Sequence, residues 1–141
     1  VPKPATPFQW AAMDTIASLQ NKARRLRKAL NPIANLRFQM EKIRDSYVQA
    51  LLARGDRPAA DLLRQHHHQG GNWGQALKSS PFDTAVYVTR RRDRDEILPW
   101  DFIDTGVSRD FLWREYQKAL EGRCSPACPP EGCERCGACS V

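Results

Sequence analysis

The first 123 residues of this 141-residue chain contain no cysteine. All five cysteines, at positions 124, 128, 133, 136 and 139, sit in its last eighteen residues. That distribution excludes a disulfide framework running through the fold. The odd count, with no secretory leader in view, points to a reduced, cytoplasmic setting. Long apolar runs are also missing: none approaches the roughly 20 residues that a membrane-spanning helix needs, so no membrane association is expected. The opening "VPKPATPFQW" lacks the charged, then apolar, then small-residue order of a signal peptide. It has Val1 where an initiator Met would stand, and three prolines in its first seven residues. The expectation is an internal cut, so that the chain is a piece of a longer protein. A serine-nucleophile motif, a phosphate loop and a dinucleotide fingerprint are absent as well.

What remains is ordinary in bulk and uneven in detail. At 16.1 kDa, 41% hydrophobic and 27% charged, the chain has the size and composition of one soluble domain. Its net charge of +6 permits nucleic-acid or acidic partners without specifying them.

Helical periodicity dominates the chain. Residues 1–12 read as extended. In "DTIASLQNKARRLRKAL", Ile16, Leu19, Ala23, Leu26 and Leu30 recur on one face, with Asp14 as the expected N-cap. Lys22, Arg24, Arg25, Arg27 and Lys28 occupy the other face, which reads first as a solvated surface and second as a contact for RNA or an acidic protein. Pro32 ends that helix. "LRFQMEK" alternates at Leu36, Phe38 and Met40 and predicts a short strand. "IRDSYVQALLAR" predicts a second helix burying Ile43, Tyr47, Val48, Leu51 and Leu52, with Gly55 as its C-cap. Asp56 and Pro58 suit the start of a third helix, running to about His68. "WGQALKSS" fits a short helix, and Ala85–Thr89 predicts a second strand. "SRDFLWREYQKAL" predicts the last helix, capped by Ser108, burying Leu112, Trp113, Tyr116, Ala119 and Leu120, and ended by Gly122.

Three groups of residues could carry chemistry. His66, His67 and His68 are adjacent, and successive helical side chains diverge by about 100°, so they cannot all face one ion. They read as the polar end of a helix. Asp101 and Asp104, with Asp95 and Glu96 nearby, could work as an acid-base pair, but aspartates before a helix more often hold a loop through their backbone. The tail differs. Its pattern is C-x3-C-x4-C-x2-C-x2-C. A Cys-x2-Cys pair lets two thiolates reach one ion from a tight turn. Cys133, Cys136 and Cys139 are expected to supply three ligands, with Cys128 as the fourth and Cys124 as its alternate. Sulfur ligation fits zinc or an iron-sulfur cluster, and spacing does not separate the two. The alternative is a flexible tail of free thiols.

Several stretches, in order, resemble a known family. "VPKPATPFQW" resembles the segment that closes the barrel in radical S-adenosylmethionine proteins carrying an N-terminal cobalamin-binding domain. "LLARGDRPAADLL" and "GGNWGQAL" resemble the helical region after that barrel. "RDEILPWDFIDTGVSRDFLWREYQKALEG" followed by "CERCGAC" resembles the end of the same family, whose members are described as iron-sulfur oxidoreductases. The resemblance implies a parent enzyme using a 4Fe-4S cluster, S-adenosylmethionine and cobalamin. It also implies that this chain is a C-terminal part without the catalytic equipment. The family's Cys-x3-Cys-x2-Cys cluster motif, its Gly-rich stretch for S-adenosylmethionine and its Asp-x-His-x-x-Gly cobalamin motif are not in this sequence.

The expectation is therefore an α+β fold, mostly α, with four to five helices, one or two short strands and a disordered or metal-bound Cys-rich tail. Residues 1–12 would be the extended end of a barrel, 13–122 a helical accessory domain, and 123–141 the tail. The expected function is that of an accessory domain of a radical S-adenosylmethionine iron-sulfur enzyme, not catalytic alone, whose partner is the rest of that enzyme. The alternatives are a basic RNA- or protein-binding module and a purely structural cap.

Overall fold

The computed structural model describes residues 1–139. It is mostly helical, with α1 at Ile16–Leu30, α2 at Ile43–Arg54, α3 at Pro58–His68, α4 at Trp73–Lys78, α5 at Ala85–Val88 and α6 at Arg109–Leu120. A single 3-10 turn, Pro7–Trp10, precedes them. The chain divides into two compact units. One is Ala12–Arg90 with Val1; the other is Pro2–Ala11 with Arg91–Val141. The expected accessory domain 13–122 thus spans parts of both.

The two expected strands do not form, and among the described residues there is no strand at all. Leu36 and Met40 lie in irregular chain and stay about half exposed. Alternation describes one face of a strand, but a strand also needs a ladder partner for its N–H and C=O groups, and 36–42 has none. Ala85–Thr89 becomes the short helix α5 instead. Asp83 Oδ1 accepts from Ala85 N–H at 2.9 Å, and Thr89 Oγ1 donates to Ala85 C=O at 3.0 Å. Those two local bonds close a helical turn and bury Val88 completely, which overrides the β-preference of Val and Tyr.

In the first unit α2 is the hub, packed against α1, α4 and α5, while α3 packs on α4. Tyr47, Ala50 and Leu51 of α2 meet Leu62 of α3, Ala76 of α4 and Val88 of α5 in one buried cluster. A helix contacted from several sides loses its one-faced pattern. Ala50 and Arg54 are buried here beside Tyr47, Val48 and Leu51, whereas Leu52 is exposed. Arg54 is fully buried, and its guanidinium donates to the carbonyls of Val88 (3.4 Å) and Arg90 (3.3 Å). It thereby adds a donor to carbonyls at and just beyond the end of α5, where Val88 C=O also accepts from Met13 N–H at 2.9 Å. α1 is held at its first half only: Ala23 is buried and Leu26 is half exposed.

The caps follow the sequence in part. Ser108 accepts from Phe111 N–H at 3.1 Å, as expected. On α1 the cap is Thr15, accepting from Ser18 N–H at 3.2 Å, because Asp14 pairs with Lys22. Pro58 opens α3, but Asp56 turns its carboxylate to the Tyr87 hydroxyl at 2.8 Å instead of capping. Gly122 ends α6 with φ +69, and Arg123 N–H reaches back to Lys118 C=O at 2.9 Å.

Gly55 joins α2 to α3 with ordinary backbone angles, so its role is steric. A Cβ there would sit 2.8 Å from both Ala59 Cβ and Leu51 C=O. Gly55→Ala is therefore expected to destabilise the first unit by about 1–3 kcal/mol through overpacking. Urea denaturation measures this. A stabilised variant, as reduced chain entropy alone would give, contradicts the close approach.

The second unit joins the expected apolar face of α6 to Trp10, which sequence periodicity leaves unassigned. Trp10 is completely buried against Leu112 and Tyr116 of α6, and Trp113 meets its ring edge to face at 5.0 Å. Within the segment expected to be extended, Pro7–Trp10 form a 3-10 turn, and Gln9 and Trp10 are buried. Arg92 N–H donates to Trp10 C=O at 3.0 Å, which fastens the two stretches of this unit together.

Candidate functional site

The cysteine tail leaves the end of α6 at Gly122 and runs back along the helix to its beginning. Two anchors fix this path. Ser125 donates to the Glu115 carboxylate and accepts from Lys118 at 2.9 Å, at mid-helix. Cys136 C=O accepts from Ser108 N–H at 2.7 Å, at the N-cap. The second anchor needs close contact. Gly137 has φ +89, and a Cβ there would come within 3.4 Å of Gly106 C=O. The Glu115 carboxyl is held below the usual carboxylate range, first by Lys118 and then by Ser125. A lowered acid pKa favours the charged partner, so the mid-helix anchor is complete at neutral pH. It is lost only as pH falls through that lowered value.

Within the tail, Cys133 is the focal thiol. The backbone N–H of Arg135 is directed at it, the Arg135 guanidinium follows, and the Cys128 thiol lies within hydrogen-bonding reach. Together these, Arg135 foremost, pull the Cys133 thiol below its ordinary range against the opposing effect of desolvation. Arg135 is itself positioned by donating to Ala127 C=O at 3.1 Å. Cys133 and Cys136 are half-buried; Cys124, Cys128 and Cys139 are exposed. In the metal-free chain, Cys133 is expected to alkylate with iodoacetamide near pH 7 faster than it does in Arg135→Ala. Equal rates, followed by mass spectrometry of that site, contradict the assigned role of Arg135.

The expected metal ligands are thus brought together in part. Cys128 and Cys133 meet, while Cys136 turns its carbonyl to the start of α6. Among the described residues, no three Cys, His, Asp or Glu side chains form a group ready to hold an ion. In type and number the donors suit zinc or an iron-sulfur cluster, since both take several thiolates. In arrangement, among the described residues only Cys128 and Cys133 act on one another.

The other candidates are absorbed into the fold. His66 stacks on Trp73 with ring centroids 3.8 Å apart, and His67 meets His68 edge to face in the last turn of α3. Asp101 accepts from Leu98 N–H at 2.7 Å and pairs with Arg109, whose guanidinium also donates to the carbonyls of Arg94 and Glu96. Asp104 accepts from Gly106 N–H at 2.8 Å. Both aspartates therefore hold loops. The basic run "RRRDR", residues 90–94, is partly taken up by the fold. Arg92 is buried and lies over the Trp100 ring, Arg91 lies over Tyr116, and Arg94 pairs with Asp110. On α1, Arg24, Arg25, Arg27 and Lys28 are exposed, as are Arg91 and Arg94.

Sequence reasoning missed Arg135, Ser125 and Glu115. Arg135 looked like a spacer between two cysteines. The placement of a cation inside a Cys-x2-Cys turn was the available clue. Ser125 and Glu115 carry no spacing that could have announced their bond.

Comparison with protein families, with curated proteins and with solved structures finds no match. No helix among the described residues is long and apolar enough to cross a membrane.

Proposed function

We propose that this chain is the C-terminal accessory region of a radical S-adenosylmethionine iron-sulfur enzyme of the cytoplasm, without a reaction centre of its own. Its cysteine tail binds a thiophilic metal, either zinc or an auxiliary iron-sulfur cluster. Cys128, Cys133, Cys136 and Cys139 would hold it, with Cys124 as alternate. The rest of the parent enzyme is its partner.

One observation carries the metal-binding part of this reading. Inside the Cys-x2-Cys turn a backbone N–H is aimed at the Cys133 sulfur, with a second sulfur, Cys128, alongside. N–H groups aimed at sulfur favour the thiolate, which is the metal-binding form, and in clusters they tune the potential. The tail is also tied to α6 at two points, so the sulfurs are carried on a folded unit rather than on a loose end. Binding would draw Cys136 and Cys139 toward the existing pair, coupling metal uptake to ordering of the turn. The family assignment rests on the resemblance of "LPWDFIDTGVS" and "ARGD" and of the tail that follows.

Metal content of the chain, with and without Cys136→Ala, tests the site. Loss of bound metal from the variant is expected, with helical circular dichroism unchanged. An unchanged metal content contradicts the ligand assignment.

The reading as a basic RNA- or protein-binding module is weaker. Of the run at 90–94, Arg92 is buried and Arg94 pairs with Asp110, so the exposed α1 face is its main support.

A further inference from the structure

The second unit holds a small cavity that the metal reading does not use. It measures about 120 Å³ and is lined by Gln9, Asp101 and Thr105 among the apolar Trp100, Val107 and Leu112. Room of that size takes about four waters, at the roughly 30 Å³ that each fills in the liquid. It lies well below the roughly 300–1,000 Å³ of drug-sized sites, so it suits one small functional group.

Gln9 marks this cavity as a site. The residue is only 4% exposed. Its Oε1 accepts from Ala5 N–H at 3.1 Å and from the Trp100 indole N–H at 3.0 Å. A backbone N–H and an indole N–H can only donate, so the amide cannot be turned the other way round. The nitrogen end is therefore left over. It makes no hydrogen bond among the described residues, and it is not one of the side-chain atoms sealed from solvent. The two N–H donors of a buried side chain thus face the space that Gln9 lines, and such donors are costly without an acceptor. The arrangement is also held under strain. Ala5 donates to Gln9 from φ +55, the left-handed region that a residue with a Cβ seldom adopts.

A second polar group on the same wall is incompletely used. Asp101 Oδ2 accepts from Leu98 N–H at 2.7 Å and pairs with Arg109. Asp101 Oδ1 accepts nothing among the described residues. The Thr105 hydroxyl, able to give or take a bond, completes the polar side. Gln9 thus asks for an acceptor and Asp101 for a donor. A carboxylate ligand would satisfy Gln9 but be repelled by Asp101, whose charge needs no further cation beside Arg109. An ammonium would satisfy Asp101 and leave Gln9 unmet. A small neutral group with a carbonyl oxygen and an N–H together satisfies both.

We propose that this cavity binds a primary carboxamide, with its carbonyl oxygen accepting from Gln9 Nε2 and its N–H donating to Asp101 Oδ1. The flat group would lie among Trp100, Val107 and Leu112. A free small amide and an asparagine side chain on a partner protein present this group alike, and the test separates them. The proposal is independent of the cysteine tail and of its metal.

Nitrogen-15 NMR titration of the full chain with acetamide, beside acetate, tests the assignment. Saturable shifts of the Trp100 indole and Gln9 side-chain signals are expected with acetamide, in the millimolar range that so small a ligand allows, and none with acetate. Gln9→Glu keeps an oxygen for Ala5 and Trp100 and puts a second oxygen where the donors stood. It should weaken acetamide about tenfold or more. A blocked glycine–asparagine–glycine peptide that binds more tightly than acetamide assigns the group to a partner protein; equal or weaker binding assigns it to a free amide. No saturable shift with either amide, equal binding of acetate, or affinity unchanged in Gln9→Glu would overturn the proposal. Should Gln9→Glu fail to fold, the acetate comparison on the unaltered chain still decides.

Discussion

Trp10→Ala is expected to destabilise the second unit by about 3–5 kcal/mol, the usual cost of emptying a large aromatic site. Trp10 is fully buried, and the core it joins is small: Leu112 and Tyr116, with Trp113 and Phe111 partly buried around them. No other completely buried side chain is described there, so neighbouring residues have little with which to refill the space. A loss of that size is a large share of the 5–15 kcal/mol that holds a domain together. Trp10→Phe should cost much less, because Trp10 Nε1 has no hydrogen-bond partner among the described residues and Phe keeps the edge-to-face contact with Trp113. Near-ultraviolet circular dichroism during urea unfolding would follow both variants. Equal, small effects would show that residues 7–10 are peripheral and that the assignment of Trp10 to this core is wrong.

Arg54→Ala is the second large effect, about 3–5 kcal/mol in the first unit. Two losses combine. The side chain fills a completely buried site on α2, and its guanidinium serves the carbonyls of Val88 and Arg90. Alanine leaves a cavity and removes the guanidinium from both carbonyls, of which Val88 C=O keeps Met13 N–H at 2.9 Å. Arg54→Met separates them: it retains most of the volume and removes the donors, so it should cost about 1–3 kcal/mol. If methionine matched the wild type in thermal unfolding, the bonds to Val88 and Arg90 would contribute nothing, and packing alone would explain the residue.

Arg54 and Trp10 mark where sequence reading stops. The α1, α2, α3, α4 and α6 segments were legible because each has an apolar repeat or a strong start and stop residue, such as Ser108 before α6 and Gly122 after it. Their boundaries moved by only a residue or two. A charged residue at the end of a helix pattern does not announce that it is buried, because that depends on which carbonyls the rest of the chain brings to it. Trp10 gave no periodic pattern, since its partners on α6 lie a hundred residues away. The two expected strands failed for a related reason. Alternation at Leu36, Phe38 and Met40 is local, whereas a ladder partner is not.

The candidate site was legible as a composition and only half legible as a geometry. Spacing in "CERCGAC" names the sulfurs. It cannot show that Cys136 faces α6 through its carbonyl, or that Arg135 attends Cys133. The first goes with the close approach of Gly137 to Gly106, and the second with the bond from Arg135 to Ala127 C=O.

The central claim is that the tail is a metal site. Zinc, iron and acid-labile sulfide per chain, measured on protein purified without oxygen, with its absorption spectrum, test it most directly. The account predicts a fixed stoichiometry, either zinc alone or iron matched by sulfide, with Cys133 protected from alkylation until the metal is removed. Five freely reactive thiols, with neither metal retained, would contradict it.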